Sequence, residues 1–103
     1  MSVTHELKIW PEYFEAVVSG IKTFEVRKND RDFKVDDTLH LREWNPETRC
    51  YTGRAVSVKV TYILKDWMQD QVIMSIVKTE RGSDEEYSHV ILKELNEING
   101  LNV

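Results

Sequence analysis

At Gly20 the hydrophobic period of the chain changes from that of a helix to that of a strand, and this change limits the fold more than any other feature. Tyr13, Phe14, Val17, Val18 and Ile21 fall at i, i+1, i+4, i+5 and i+8, the spacing of one apolar helical stripe. Pro11 suits the first turn of that helix, where a missing N–H leaves nothing unpaired, and Glu12 complements the helix dipole. Gly20 is placed to end the helix in the left-handed conformation, with Ile21 folding back on the last turn. From Lys22 the period is two. Phe24 and Val26 point one way as apolar anchors, and Thr23, Glu25 and Arg27 point the other.

Alternation also precedes the helix and continues after the junction. His5 to Ile9 alternates, with Leu7 and Ile9 on one face, which predicts a short half-buried strand. Asn29 to Asp32 reads as a turn. Thr38 to Trp44 alternates with Leu39 and Leu41 inward, and Asn45-Pro46-Glu47-Thr48 opens a hairpin loop. Arg54 to Leu64 is the longest predicted strand, with Val56, Val58, Val60 and Tyr62 on one face. Lys65 to Gln71 reads as a loop carrying Trp67 and Met68, and Val72 to Lys78 as a further strand. Ser83 with Glu86 matches a capping box, and Tyr87, Val90, Ile91, Leu95 and Ile98 form a second helical stripe that stops at Gly100. The order predicts an α+β fold: a small curled sheet or barrel of about five to six short strands, one helix across an open end, and a C-terminal amphipathic helix. Residues 1–80 make the domain and residues 81–103 an acidic extension of it.

The length of 103 residues suits one domain, and 41% hydrophobic content suits a packed core. No apolar run approaches the roughly 18 residues of a membrane span. No basic segment followed by an apolar one opens the chain, and Cys50 is the only cysteine. Both features fit a cytoplasmic protein. The net charge of −4 argues against a non-specific nucleic-acid binder. It is unevenly spread, however. Residues 80–97 hold six acidic and two basic side chains, and the remaining 12 acidic and 12 basic residues cancel. A neutral body leaves room for a local basic patch.

That patch is the junction itself. Glu25 and Arg27 share one strand face, Lys22 stands where helix meets strand, and Lys28, Arg31 and Lys34 add positive charge. A cleft with one carboxylate and several cations can grip a phosphate and read a base, since Arg offers a planar donor fork and Glu an acceptor. Trp10, Trp44 or Tyr51 could stack on that base. The plainer alternative is a structural Glu25–Arg27 ion pair on a solvated face. A third is an acid/base site of Lys22, Thr23 and Glu25, with Lys22 as base, Thr23 or a water as nucleophile and Glu25 as proton carrier. His5, His40, His89 and Cys50 lack metal-ligand spacing, and no phosphate-loop, dinucleotide or nucleophile-elbow motif occurs. No metal or cofactor is expected.

His5-Glu6-Leu7-Lys8, the run Gly20-x-Lys22-Thr23-x-Glu25-x-Arg27-Lys28-Asn29-Asp30-Arg31-Asp32-Phe33, Leu41-Arg42-Glu43-Trp44 and Tyr51-Thr52-Gly53-Arg54 together resemble the ASCH domains of the PUA-like superfamily. The nearest branch is a small bacterial and phage family of uncharacterised, ASCH-like RNA-binding proteins. The resemblance covers roughly residues 4–78. It implies a β-barrel with a helix across it, and a cleft built on Lys22, Glu25 and Arg27 that binds RNA or a nucleotide. Read from the residues themselves, Lys28 and Arg31 guide the backbone of such a ligand and Trp44 is a candidate to stack on its base. One relative of this fold removes acetyl from 4-acetylcytidine, through a motif similar to Gly20-x-Lys22-Thr23 that ends at the position of Arg27. Its nucleophilic threonine aligns with Glu25, which favours binding over that reaction here. A second departure is Val35-Asp36-Asp37, where such domains usually have Val-Gly-Asp; a left-handed turn is less comfortable at Asp36 than at glycine. The helix at 83–99 lies outside the resemblance and is a candidate for self-association or a protein partner.

Overall fold

The computed structural model describes residues 2–79. The helix and partner surface expected within 83–99 lie outside the described residues, as does the 81–103 extension.

The strands are β1 (Thr4–Ile9), β2 (Phe24–Lys28), β3 (Thr38–Asn45), β4 (Cys50–Leu64) and β5 (Gln71–Lys78), with helix α1 (Pro11–Val18) between β1 and β2. They form one sheet in the order β1-β3-β4-β5-β2. β1 and β3 run parallel, and every other pairing is antiparallel. Irregularities between Arg42 and Trp44 and between Val60 and Tyr62 add twist, and the sheet curls into a half-barrel. The curl leaves β1 and β2 as facing edges with a seam between them.

The inner face is filled by Leu7 and Ile9 of β1, Leu39 and Leu41 of β3, Val56, Val58 and Val60 of β4, and Val72, Met74 and Ile76 of β5. Phe14 and Val17 of α1 and Phe33 of the β2–β3 connection close it. The helical stripe is narrower than its sequence spacing. Tyr13 is about half exposed and Ile21 is 84% exposed. Ile21 does not fold back on the helix as expected, because the chain turns at Gly20 (φ +84°) and it is the Lys22 N–H that returns, to the Ala16 carbonyl at 2.9 Å.

Two strand faces also differ from expectation. Phe24 and Val26 face outward and Glu25 inward, because pairing with β5 sets the register. Glu25 stands opposite Met74 and Arg27 opposite Val72, both core residues, and directly opposed residues share a face. Tyr62 is 63% exposed rather than in line with Val56, Val58 and Val60. The irregularity after Val60 shifts the inward parity by one, so Ile63 packs against the core instead. Asp36 takes the left-handed conformation in spite of its side chain, with φ +79°.

Candidate functional site

The seam between β1 and β2 is where the charged junction lies. Helix α1 ends at Val18, Gly20 reverses the chain, and the Lys22–Ala16 hydrogen bond fixes the exit. The Ile76 N–H then donates to the Thr23 carbonyl at 3.0 Å, and β2 starts at Phe24. Local geometry therefore brings Lys22 beside the strand that carries Glu25 and Arg27.

Glu25 is 2% exposed, and both its carboxylate oxygens are engaged. Lys22 Nζ donates to Oε2 and also to the Phe24 carbonyl at 2.7 Å. Arg27 Nε donates to Oε1 at 2.8 Å. Arg27 Nη2 crosses the seam to the Lys8 carbonyl of β1 at 2.9 Å. Glu25 thus acts as an anchor that orients two cations, and Arg27 ties the two sheet edges together. An exposed ion pair contributes little, whereas a buried carboxylate shared by two donors fixes their positions.

These groups form the floor of a concave cleft of about 490 Å³, lined by Lys8, Ile9, Trp10, Tyr13, Lys22, Phe24, Glu25, Val26 and Arg27. Three cations face one carboxylate. Trp10, Tyr13 and Phe24 are each nearly half exposed on its rim, with Lys22 Nζ 5.0 Å from the Phe24 ring centre. Cationic floor and aromatic rim suit a planar, anionic ligand.

A second basin, of about 360 Å³, follows along the same seam. Lys28 and Arg31 line it, with Glu6, Asp30, Phe33 and Tyr51, and it shares Lys8 and Arg27 with the cleft. Of the residues named from sequence, Lys22, Glu25 and Arg27 converge in the cleft, and Lys28 and Arg31 in the adjoining basin. Trp44 lines neither; Lys8 Nζ sits 4.4 Å over its ring. Thr23 lines a further small cavity with Val17, Val58 and Ile76; Lys22 borders this cavity as well as the cleft, while Glu25 and Arg27 border the cleft and not this cavity. Tyr13 is the one hydroxyl-bearing side chain among the cleft's lining residues.

Sequence reasoning missed Lys8, Tyr13 and Phe24. Lys8 read as the solvated face of β1, and Tyr13 and Phe24 read as core. Two buried acidic groups were missed as well, and both support the scaffold. Glu43 accepts from Thr52 Oγ1 at 2.6 Å and from Arg54 Nε and Nη2 at 2.7 and 2.8 Å, while Arg54 Nη2 also reaches Glu15. Asp37 accepts from His5 Nε2 at 2.8 Å and from the backbone N–H of Val3 and Lys34 at 3.0 Å each. Burial pushes the Asp37 carboxyl up, but the His5 hydrogen bond and the two backbone donors outweigh it and hold it below its ordinary value.

Among the described residues, no group of three or more His, Cys, Asp or Glu is arranged to hold a metal ion. No described helix is long and apolar enough to cross a membrane.

Residues 4–76, which include every residue of both basins, match a family model described as a domain of unknown function, DUF3850. The chain is also 40% identical over 76 residues to the uncharacterised 12.9 kDa protein in the GpA 3′ region of Escherichia phage P2. That match covers 72% of this chain and 68% of the phage protein. The family match spans the sheet from β1 into β5, together with the seam, and the chain belongs to the DUF3850 family of domains of unknown function.

Proposed function

We propose that the chain is an RNA- or nucleotide-binding module of the ASCH-like, PUA-like kind, and that the β1–β2 cleft is its binding site. The observation that carries this reading is the convergence of Lys22, Glu25 and Arg27 on the floor of a concave cleft rimmed by Trp10, Tyr13 and Phe24. A solvated ion pair on an open strand face would have neither the concavity nor the rim.

The chemistry divides by position. The aromatic rim supplies a stacking surface, worth about 1–3 kcal/mol per base in single-strand binders. Arg27 uses Nε and Nη2 on the protein, and among the described residues no acceptor engages Nη1. That donor and the ammonium groups of Lys8 and Lys22 serve phosphate or base oxygens. Glu25 has both oxygens occupied, so it aims the cations rather than reading a base amine. The cleft volume lies within the range of small-molecule sites, roughly 300–1,000 Å³. Binding is favoured over hydrolysis because Glu25, the proton carrier of the hydrolytic alternative, does not line the cavity that Thr23 shares with Lys22 and has both oxygens engaged by Lys22 and Arg27.

Calorimetric titration of the wild type and Arg27→Ala with the four ribonucleoside 5′-monophosphates and with short single-stranded RNA tests the reading. Arg27→Ala should fold, since that side chain is partly exposed, and should lose binding. A wild type that binds none of these ligands would refute the reading. Incubation with acylated cytidines and adenosines, followed by chromatography, tests for deacylation, and no product is expected.

A further inference from the structure

The cleft and the second basin are successive stretches of one groove. Lining the cleft are Lys8 and Ile9 of β1, Trp10 just beyond its end, Lys22 and residues 24–27; lining the basin are residues 6–8 of β1 with Arg27, Lys28 and Arg31. Moving from one to the other shifts the β1 lining by two residues, about 7 Å at the rise of a strand. That is the scale of one repeat of an extended nucleotide chain. Lys8 and Arg27 line both basins, and the Arg27 Nη2–Lys8 carbonyl bond marks the boundary between them.

The basins differ in character. The cleft has an open aromatic rim. In the basin, Tyr51 already carries Arg42 3.8 Å over its ring, and Phe33 is buried. Neither offers a base a free stacking surface like that of Trp10. The basin's carboxylates are partly committed: Glu6 to Arg42 at 3.5 Å and Asp30 to Arg31 at 3.4 Å. Its remaining chemistry is cationic, which suits a phosphate rather than a second base.

We propose that the seam holds two consecutive phosphates of a single-stranded RNA, with a base in the cleft, its linking phosphate over Lys8 and Arg27, and the next phosphate beside Lys28 and Arg31. This rests on the nucleotide-binding reading of the cleft and adds to it that the ligand is a chain rather than a mononucleotide. A nucleoside diphosphate places its second phosphate too near the first to span the step.

The test is calorimetry on the full chain with ribonucleoside 5′-monophosphates, 5′-diphosphates and a mixed-sequence RNA tetranucleotide, for the wild type and for Lys28→Ala/Arg31→Ala. The tetranucleotide should bind the wild type at least about 10-fold more tightly than the monophosphates, with a steeper salt dependence. The double variant should lose most of that advantage and lower the salt slope by roughly one per lost contact. Its monophosphate affinity should change less than about twofold, since Lys28 and Arg31 are absent from the cleft lining. Circular dichroism checks that it folds. If monophosphates bind but the tetranucleotide gains nothing, or the diphosphate gains as much, the two-phosphate seam is overturned while the cleft reading stands. If the variant weakens mono- and tetranucleotide alike, the basin is not a separate subsite. If no nucleotide binds the wild type, both fall.

Discussion

Replacing Glu25 by Gln separates two roles that a carboxylate in a cationic cleft can have. If Glu25 only sets the charge, its neutralisation should favour an anionic ligand. At ~6 Å and an effective dielectric of about 20, one unit charge is worth roughly 3 kcal/mol to a phosphate. In an open, salt-bathed cleft that shrinks to about 1 kcal/mol or less. If Glu25 aims Lys22 and Arg27, the variant should bind worse in spite of its more positive cleft. The amide keeps one oxygen where the carboxylate offered two, and those two serve Lys22 on Oε2 and Arg27 Nε on Oε1. One cation therefore loses its side-chain acceptor and is held only by a backbone carbonyl, Phe24 for Lys22 or Lys8 for Arg27. Re-ordering a freed Lys or Arg side chain on binding costs about 1.5–2 kcal/mol, which outweighs the screened gain. A loss of roughly 3- to 10-fold in affinity is expected at moderate salt. The same lost bond should lower stability by about 1–2 kcal/mol, below the range for a fully buried charged bond, because the Lys22 and Arg27 side chains are 18% and 23% exposed. For a domain of this size that is a melting-temperature drop of about 5–15 °C. Isothermal calorimetry with a ribonucleotide and differential scanning calorimetry read the two effects. A variant that binds the anion more tightly at unchanged stability would refute the positioning role.

Three further outcomes follow from the scaffold. Asp37→Asn should cost about 2 kcal/mol at pH 7, since Asp37 accepts from His5, Val3 and Lys34. Because the Asp37 carboxyl is held below its ordinary value in the folded protein, its contribution is present above about pH 4 and is lost as pH falls through the folded value. Urea titrations at several pH values should therefore show the wild type's advantage over Asp37→Asn shrinking towards the acid end. Asp36→Gly should stabilise by about 0.5–1 kcal/mol in urea, since Asp36 is non-glycine at φ +79°. Glu43→Gln should cost about 1–2 kcal/mol in the same measurement, because the amide keeps one of the two oxygens that serve Arg54 and Thr52, and Arg54, 19% exposed, still holds Glu15.

Where residues interact within one turn or along one strand, the sequence was readable. The Gly20 stop, the inward alternation of Leu39 and Leu41, and the grouping of Lys22, Glu25 and Arg27 all depend on neighbours a few positions apart. Legibility ended where a distant strand decides. Phe24 and Val26 look like anchors by hydrophobicity, but β5 sets the register that turns them outward and Glu25 inward. Tyr62 fits the alternation of β4 until one irregularity shifts the parity. The His5–Asp37 and Glu43–Arg54 pairs span 32 and 11 positions, and nothing local in the sequence marks their partners. Lys8 joins the site only because the sheet curls and brings β1 opposite β2, so that Arg27 can reach its carbonyl.

Backbone amide shifts recorded by NMR during titration with a ribonucleoside monophosphate test the cleft most directly. Shifts centred on residues 8–10 and 22–27 are expected, and the side-chain indole N–H of Trp10 should shift in the same spectra. No shifts at millimolar nucleotide, or shifts confined to the outer face around Tyr62 and Val77, would contradict the assignment of the β1–β2 seam as the binding site.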